Sequence, residues 1–360
     1  MDQLKEPLEH LLSLSSSTVR PKLLKIINNL PPFGLSDEIL SEIVDIVESL
    51  HSASLLLDDI QDNSDLRRGE TCGYKIWGIP TVVGTVGWCG VNSVRKIYNL
   101  FDSFDVGGAG AGADADADAD AGIGKDKDKS DNAKNEVTLI KAEIYKLRLK
   151  EEAVKYYTSE MDILYSGQAL DILWRDQHSP PTEQEYMKMV IGKTGGLFRL
   201  GVKLLAILGK LKRYGKTNNE SAKEECAILV DSIMNWCDHL GMLYQVRDDY
   251  LNLTEYQNKK GFAEDITEGK FSYPVVWCVT NRKDSPVEVN ELLEILKGHT
   301  HDDEQKRRAI ELMGRLGGLS ACKDKIAQLK AELDVIVQRM PMERRLAGPL
   351  VQIVQMLSIL

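Results

Sequence analysis

Apolar residues spaced three or four positions apart run through most of this sequence, and that spacing restricts the fold more than any other feature. Between residues 35 and 63 they fall on one side of a helix that Ser36 or Asp37 is placed to cap. The stretches 136–175, 183–211, 221–253 and 321–358 repeat the pattern. Alternating apolar and polar residues, which are typical of strands, are hard to find. The sequence therefore predicts an all-α fold.

One segment, at about residues 105–134, interrupts the helical pattern. It consists of glycine and alanine, then four Ala-Asp repeats, then alternating lysine and aspartate. Because it has no apolar side chains to bury, we expect a disordered loop. Its aspartates are not expected to bind a cation, since nothing would hold them in position. Neither flank is self-sufficient, so we expect a single domain over residues 1–360 that the loop interrupts.

Charge and composition limit the possible partners. A net charge of −10 argues against nucleic acid, whose binding requires a basic surface. The six cysteines form no CxxC pair and are expected to be reduced packing residues. No apolar stretch approaches the roughly 18 residues of a membrane span, and the first residues do not resemble a secretory signal. We expect a cytoplasmic protein that binds small molecules, other subunits or both.

An acidic motif ends the first long predicted helix. Asp58 and Asp62 are four residues apart and share a helical face, with His51 two turns earlier on that face. Two adjacent carboxylates repel each other unless a cation lies between them, and Mg²⁺ commonly bridges carboxylates to phosphates. Arg67 and Arg68 follow, and guanidinium groups match phosphate oxygens. The motif therefore indicates a site for magnesium and a phosphate group.

The alternative interpretation of this motif is a solvated acidic helix end. Three leucines, at residues 55–57, directly precede the acids and favour a lined cavity instead. A second cluster strengthens that interpretation, because Gln245, Asp248 and Asn252 lie on one helical stripe. Helix bundles build metal sites from such inward side chains on facing helices.

Four blocks of residues occur in a fixed order along the chain. They are DDxxD…RRG at 58–69, KTGGLF at 193–198, QxRDDYxN at 245–252 and EDxTEGKxSxP at 264–274. Together they resemble the trans-prenyltransferase family of farnesyl and geranylgeranyl diphosphate synthases. The resemblance is strongest to the fungal geranylgeranyl diphosphate synthase type, which includes the related indole-diterpene prenyltransferases. It extends from about residue 4 to the carboxyl terminus apart from the loop.

The resemblance implies an isoprenoid-synthase-type helical bundle around a deep apolar cavity, usually a homodimer. It implies that Asp58, Asp62 and Asp248 bind about three Mg²⁺ ions and act in catalysis together with Lys193. It assigns the allylic diphosphate to Arg67, Lys193, Thr194, Gln245, Asn252, Lys260 and Lys270. It assigns the acceptor to Arg20, His51 and Arg68.

The implied reaction is the joining of farnesyl diphosphate to isopentenyl diphosphate to give geranylgeranyl diphosphate. One departure raises an alternative. Family members carry Pro-Gly-Lys before the arginine that matches Arg20, and this chain has serines at positions 15–17. A lost charged contact to phosphate weakens binding by about 1.5–3 kcal/mol. A second hypothesis is therefore transfer of a geranylgeranyl group to indole-3-glycerol phosphate.

Two further alternatives fit the sequence less well. A non-catalytic synthase subunit typically lacks aspartates in one or both clusters, and both clusters are complete here. A terpene cyclase shares the ionisation chemistry, but His51 and Arg68 favour a reaction with two substrates.

Product length is set in this family at the cavity floor. Gly90 and Val91 are expected to leave the floor open, whereas Trp88 and Tyr165 are large enough to close it. The small residues before the acidic motif, Ala53 and Ser54, favour a C20 chain.

Overall fold

The computed structural model describes residues 2–14, 19–104, 127–214, 220–254 and 261–358. These ranges are almost entirely helical, as predicted. The amino-terminal half contains α1 (Glu6–Ser13), α2 (Val19–Asn28), α3 (Asp37–Gln61), α4 (Gly73–Trp77), α5 (Ile79–Asp102) and α6 (Lys127–Asp176). The central helices are α7 (Glu183–Val190), α8 (Gly196–Lys212) and α9 (Glu220–Thr254). The remainder is α10 (Glu264–Thr267), α11 (Tyr273–Asn281), α12 (Pro286–Lys297), α13 (Asp303–Leu316), α14 (Gly318–Arg339) and α15 (Arg344–Leu357).

The starts and ends of the helices follow local chemistry. The Ser36 side chain accepts a hydrogen bond from the Ile39 amide at 3.5 Å, so Ser36 is the cap of α3. Thr182 and Glu185 form a capping box that begins α7. The helix α6 begins at Lys127, within the range predicted as loop. Residues 105–126, including the four repeated aspartates, lie outside the described residues.

A short hairpin follows α3 and is the one two-stranded sheet among the described residues. Its strands, β1 (Leu66–Arg67) and β2 (Glu70–Thr71), pair antiparallel with Arg67 opposite Glu70. The turn residues Arg68 and Gly69 have φ angles of 57° and 87°. Positive φ at both turn residues matches the twist of a two-residue hairpin. The hairpin places both arginines of the first motif beside the carboxyl end of α3.

The helix α8 lies at the centre of the main core. Apolar residues surround it on nearly all sides, and most of its residues are buried. At Gly201 the helix α2 approaches so closely that an added Cβ would lie 2.6 Å from a Leu24 methyl group. A second, smaller cluster is formed by α1, α3 and α5, with Leu8, Leu56 and Val82 buried. Within the described ranges, no helix is both long enough and apolar enough to cross a bilayer.

Candidate active site

A cavity of about 340 Å³ opens between α3, α6, α8 and α9. Every predicted site residue that the structure describes lines this cavity. They are Arg20, His51, Asp58, Asp62, Arg67, Arg68, Lys193, Thr194, Gln245, Asp248, Asn252 and Lys270. Lys260 lies outside the described residues.

The carboxyl end of α3 forms one acidic wall. Asp58 accepts hydrogen bonds from Gln168 Nε2 at 3.1 Å and from Arg67 at 3.2 Å. Lys193 Nζ lies 3.6 Å from the same carboxylate. Arg67 Nε also donates to the buried Asp59 at 2.6 Å. Arg67 is therefore held between two consecutive aspartates, and loss of its charge would leave both carboxylates without this partner.

Asp62 follows the last residue of α3, and its amide still donates to the Asp58 carbonyl at 2.8 Å. Its carboxylate accepts a hydrogen bond from Arg175 at 2.7 Å. Burial and the nearby charge of Asp58 raise the pKa of Asp62 to about 6. This electrostatic cost is what a cation between the two carboxylates would relieve.

The helix α6 supplies polar residues that were not predicted from the sequence. Gln168 contacts Asp58, Arg175 contacts Asp62, and Asp171 accepts a hydrogen bond from Lys193 Nζ at 2.8 Å. Burial alone would lower the pKa of Lys193, but Asp171 and Asp58 outweigh it and hold that pKa above its ordinary value. The ammonium group is therefore charged at neutral pH.

The spacing of these α6 residues is a signal that could have found them. Gln168, Asp171 and Arg175 lie at i, i+3 and i+7. The 245–252 block on α9 has the same spacing, with glutamine at i and aspartate at i+3.

The helix α9 forms the opposite wall. Gln245 accepts a hydrogen bond from the Thr194 hydroxyl at 3.0 Å and donates to Asp249 at 2.9 Å. Asn252 accepts a hydrogen bond from the Asp265 amide at 3.2 Å, which ties the 264–274 block to this wall. The amide side chains of α9 are thus fixed by contacts with two other parts of the chain.

Asp249 is fully buried and contacts several parts of the chain. It accepts hydrogen bonds from the Tyr186 hydroxyl and from the Tyr273 amide, the latter at 2.7 Å. Lys270 Nζ lies 3.4 Å from its carboxylate, and Asp265 lies 3.5 Å from the same ammonium group. Burial and the Asp249 charge raise the pKa of Tyr186 well above its ordinary value. The carboxylates of Asp249 and Asp265 thus fix the position of Lys270 at the cavity.

The three predicted acceptor residues lie together at one side of the cavity. Arg20 contacts Glu48 at 3.3 Å and His51 Nε2 at 2.9 Å. Arg68 donates to the carbonyls of Leu11 and Leu14 at 3.1 and 3.3 Å. Arg68 therefore also caps the carboxyl end of α1, a contact that the sequence did not predict.

The apolar part of the cavity is lined by Leu55, Leu57, Leu164, Tyr165 and Leu197. Tyr165 lines the cavity, whereas Trp88, also expected at the floor, packs against the second cluster and does not line it.

The expectation for Val91 is wrong. Its side chain is 74% exposed on the outer face of α5, so it does not leave the cavity floor open. The Gly90 carbonyl accepts a hydrogen bond from the buried Tyr157 hydroxyl at 2.8 Å. This contact joins α5 to α6 and limits how far the two helices can separate.

The donor set suits a hard cation that is shared with a substrate. Among the described residues, no three His, Cys, Asp or Glu side chains form a group that holds a metal ion by itself. Asp58 and Asp62 lie on one wall, and Asp248 lies on the other. Mg²⁺ is typically held by one or two carboxylates together with substrate phosphates and water. The arrangement therefore fits Mg²⁺ that binds together with a diphosphate.

His51 is expected to lower stability in mild acid. Burial, and then the charges of Arg20 and Arg68, lower the pKa of His51 well below its ordinary 6.5. Below pH 6.5 the unfolded chain gains a proton at this position that the folded chain does not, so the free energy of unfolding decreases as pH falls.

Urea unfolding at pH 7.5 and 5.5 measures this effect. The His51→Gln variant should lose less stability than the wild type between the two pH values, by up to about 1.4 kcal/mol in total, because the unfolded histidine titrates only near pH 6.5. Equal losses in the two proteins would contradict a neutral His51.

Comparison with known proteins agrees with this geometry. The family model described as polyprenyl synthetase matches residues 1–92 and 131–313. A geranylgeranyl pyrophosphate synthase of Penicillium canescens is 31% identical, over 95% of this chain and 82% of that protein. One of Eremothecium gossypii is 34% identical, over 91% of this chain and 85% of that protein.

A solved structure is similar in fold. The crystal structure of a geranylgeranyl pyrophosphate synthase matches with a TM-score of 0.72 at 19% identity, covering 99% of this chain and 91% of the other. At that identity the likeness shows an isoprenoid-synthase-type helical fold. The family match and the identity to the two fungal relatives go further: the chain belongs to the polyprenyl synthetase family and is a prenyltransferase.

Proposed function

We propose that this prenyltransferase is a magnesium-dependent geranylgeranyl diphosphate synthase. It ionises farnesyl diphosphate and couples the resulting cation to isopentenyl diphosphate. The observation that carries the proposal is the cavity itself, which has acidic clusters on facing walls, lysines between them and an apolar end. A diphosphate with its cations fits the polar part, and a prenyl chain fits the apolar part. The fungal relatives, both geranylgeranyl pyrophosphate synthases, support the same product.

The reaction follows from the charges. The allylic C–O bond breaks, and its electron pair leaves with the diphosphate. The double bond of the acceptor attacks the allylic carbon, which forms the new C–C bond. The acceptor then loses a proton, which the released diphosphate accepts.

The residues of this chain favour the first step because they stabilise the departing negative charge. Lys193 and Lys270, both charged and partly exposed to the cavity, face the position of the diphosphate, and Arg67 contacts the same Asp58 carboxylate as Lys193. Thr194 and Gln245 are already hydrogen-bonded to each other, so they contact the substrate without large rearrangement. Mg²⁺ held by Asp58, Asp62 and Asp248 would neutralise the diphosphate and make it a better leaving group.

A second candidate function is transfer of a geranylgeranyl group to indole-3-glycerol phosphate. It differs only in the acceptor. The serines at 15–17 supply no lysine for an acceptor diphosphate, and Arg20 and Arg68 already contact protein groups. These features concern the acceptor side alone, because the allylic side is complete.

A product assay distinguishes the two candidates. We expect purified protein with Mg²⁺ and farnesyl diphosphate to extend isopentenyl diphosphate to the C20 product. In parallel, geranylgeranyl diphosphate is offered indole-3-glycerol phosphate. A prenylated indole without chain extension would replace the synthase proposal with the second candidate.

The acidic residues provide the mechanistic test. Asp58→Asn and Asp248→Asn each remove a metal-binding charge, so we expect kcat/KM of the folded variants to fall by at least about 10²-fold. Asp65→Asn is the matched control, because its side chain is 72% exposed, pairs with Lys75 and does not line the cavity. Near-normal turnover in Asp58→Asn or Asp248→Asn would contradict the assigned metal site.

We also propose a homodimer, formed through the outer face of α4, α5 and α6. Exposed apolar side chains recur there at helical spacing: Ile76, Ile79, Val83, Val91 and Tyr98 on the first two helices, and Ile140, Ile144 and Leu147 on α6. A stripe of this kind is typical of a surface that another protein covers.

A single charged substitution in the apolar stripe tests the proposed dimer. Val91→Glu places a carboxylate in the stripe, so we expect a shift toward monomer in sedimentation analysis, because an unpaired charge in an interface is costly. Val287→Glu on α12 is the control, since Val287 is 78% exposed and lies outside the stripe. A wild-type monomer, or a Val91→Glu dimer of unchanged affinity, would contradict the proposal.

A further inference from the structure

The lysine and threonine of the KTGGLF block lie on an unusual turn. The helices α7 and α8 are continuous through Ile191–Gly195, and this segment is a π-helix. A π-turn inserts an extra residue into the helix, is less stable than the α-helix and is frequent at functional sites. Lys193 and Thr194 lie on this turn, and both line the cavity. Something outside the turn must therefore hold it in place.

Arg199 contacts the turn from the side away from the cavity. It donates to the Ile191 carbonyl at 3.1 Å, to Glu160 at 2.7 Å and to Asp238. Its side chain is 9% exposed, and it does not line the cavity. The desolvation cost of a buried arginine and two carboxylates is offset only where their contact geometry is good. Here the ion pairs join α6 and α9 to a backbone carbonyl of the turn.

Two glycines contact the same turn from either side. An added Cβ at Gly167 of α6 would lie 2.9 Å from the Lys193 amide nitrogen. An added Cβ at Gly241 of α9 would lie 3.2 Å from the backbone of Gly195. The backbone of the turn therefore lies directly against the backbones of both neighbouring helices, and there is no room for a side chain.

The residues that contact the turn lie on the same helix faces as the site residues of α6 and α9. On α6, Glu160 and Gly167 precede Asp171 on the same face, and on α9, Asp238 and Gly241 precede Gln245. A displacement of the turn would consequently change the distances from Lys193 to Asp171 and from Thr194 to Gln245, now 2.8 and 3.0 Å.

We propose that Arg199 is a positioning residue that, together with Gly241, holds the π-turn so that Lys193 and Thr194 face the allylic diphosphate. The inference rests on the proposed function only in naming that ligand. Arg199 does not touch the substrate, and it acts through the Ile191 carbonyl and the two carboxylates.

The test measures diphosphate binding separately from turnover. Calorimetry with Mg²⁺ and farnesyl thiolodiphosphate, an analogue that resists ionisation, gives the dissociation constant. For Arg199→Met we expect a dissociation constant and an allylic KM raised about tenfold or more, with the acceptor KM unchanged. Arg199→Lys should recover part of the affinity, because a lysine can still pair with Glu160.

Gly241→Ala disturbs the same turn without removing a charge. The alanine favours helix formation, so the fold is retained while the added methyl group presses on Gly195. We expect the same selective loss of diphosphate affinity. Gly314→Ala is the matched control, since its added Cβ would meet nothing closer than a Leu319 methyl group at 3.7 Å.

A structural control separates positioning from general destabilisation. Arg282 donates to the Leu316 carbonyl at 2.6 Å and does not line the cavity, so Arg282→Met should lower Tm without changing the ratio of the two KM values. Unchanged diphosphate affinity in folded Arg199→Met would overturn the proposal. If that variant does not fold, unchanged affinity in Gly241→Ala would overturn it. Because binding is measured directly, failure of the product assay leaves this test intact.

Discussion

The repulsion between carboxylates that face one cavity is the constraint on which the rest of the site depends. Asp58 and Asp62 lie one helical turn apart, and the raised pKa of Asp62 shows the cost of holding them together. The chain offsets that cost with cations from the hairpin, from α6 and from the π-turn: Arg67, Arg175 and Lys193. A diphosphate with Mg²⁺ would enter a site in which carboxylates are already paired with cationic side chains. The charge balance of the site is thus also the one that would stabilise a bound diphosphate.

Rigid packing behind the cavity supports this balance. The central helix α8 is buried nearly all round, and Gly201 allows α2 to cross it in close contact. Asp249, fully buried, joins α9 to α7 and α11 through Tyr186 and the Tyr273 amide. A catalytic group on a rigid support loses little entropy when the substrate binds, and small displacements are costly. Residues that do not line the cavity therefore fix the positions of those that do.

The residues differ in how far the sequence predicted their positions. Helical spacing predicted α3 and its acids closely, because an amphipathic helix that ends in charged residues is a local pattern. The same stripe on α6 was missed, although Gln168 and Asp171 have the spacing of Gln245 and Asp248. Arg68 was expected only at the acceptor, whereas it also caps α1 through contacts with residues more than fifty positions away. Val91 was placed at the cavity floor, and it faces outward.

The sequence by itself determined the all-α class, the motifs and the chemistry of their side chains. These properties depend on short-range spacing and on residue type, which a linear chain carries in full. Only the tertiary structure decided which cation pairs with which carboxylate, and which face of α5 is turned away from the cavity. It also decided that the KTGGLF block begins in a π-turn clamped between α6 and α9. Such features depend on contacts between residues far apart in the chain, and helix packing sets them to fractions of an ångström.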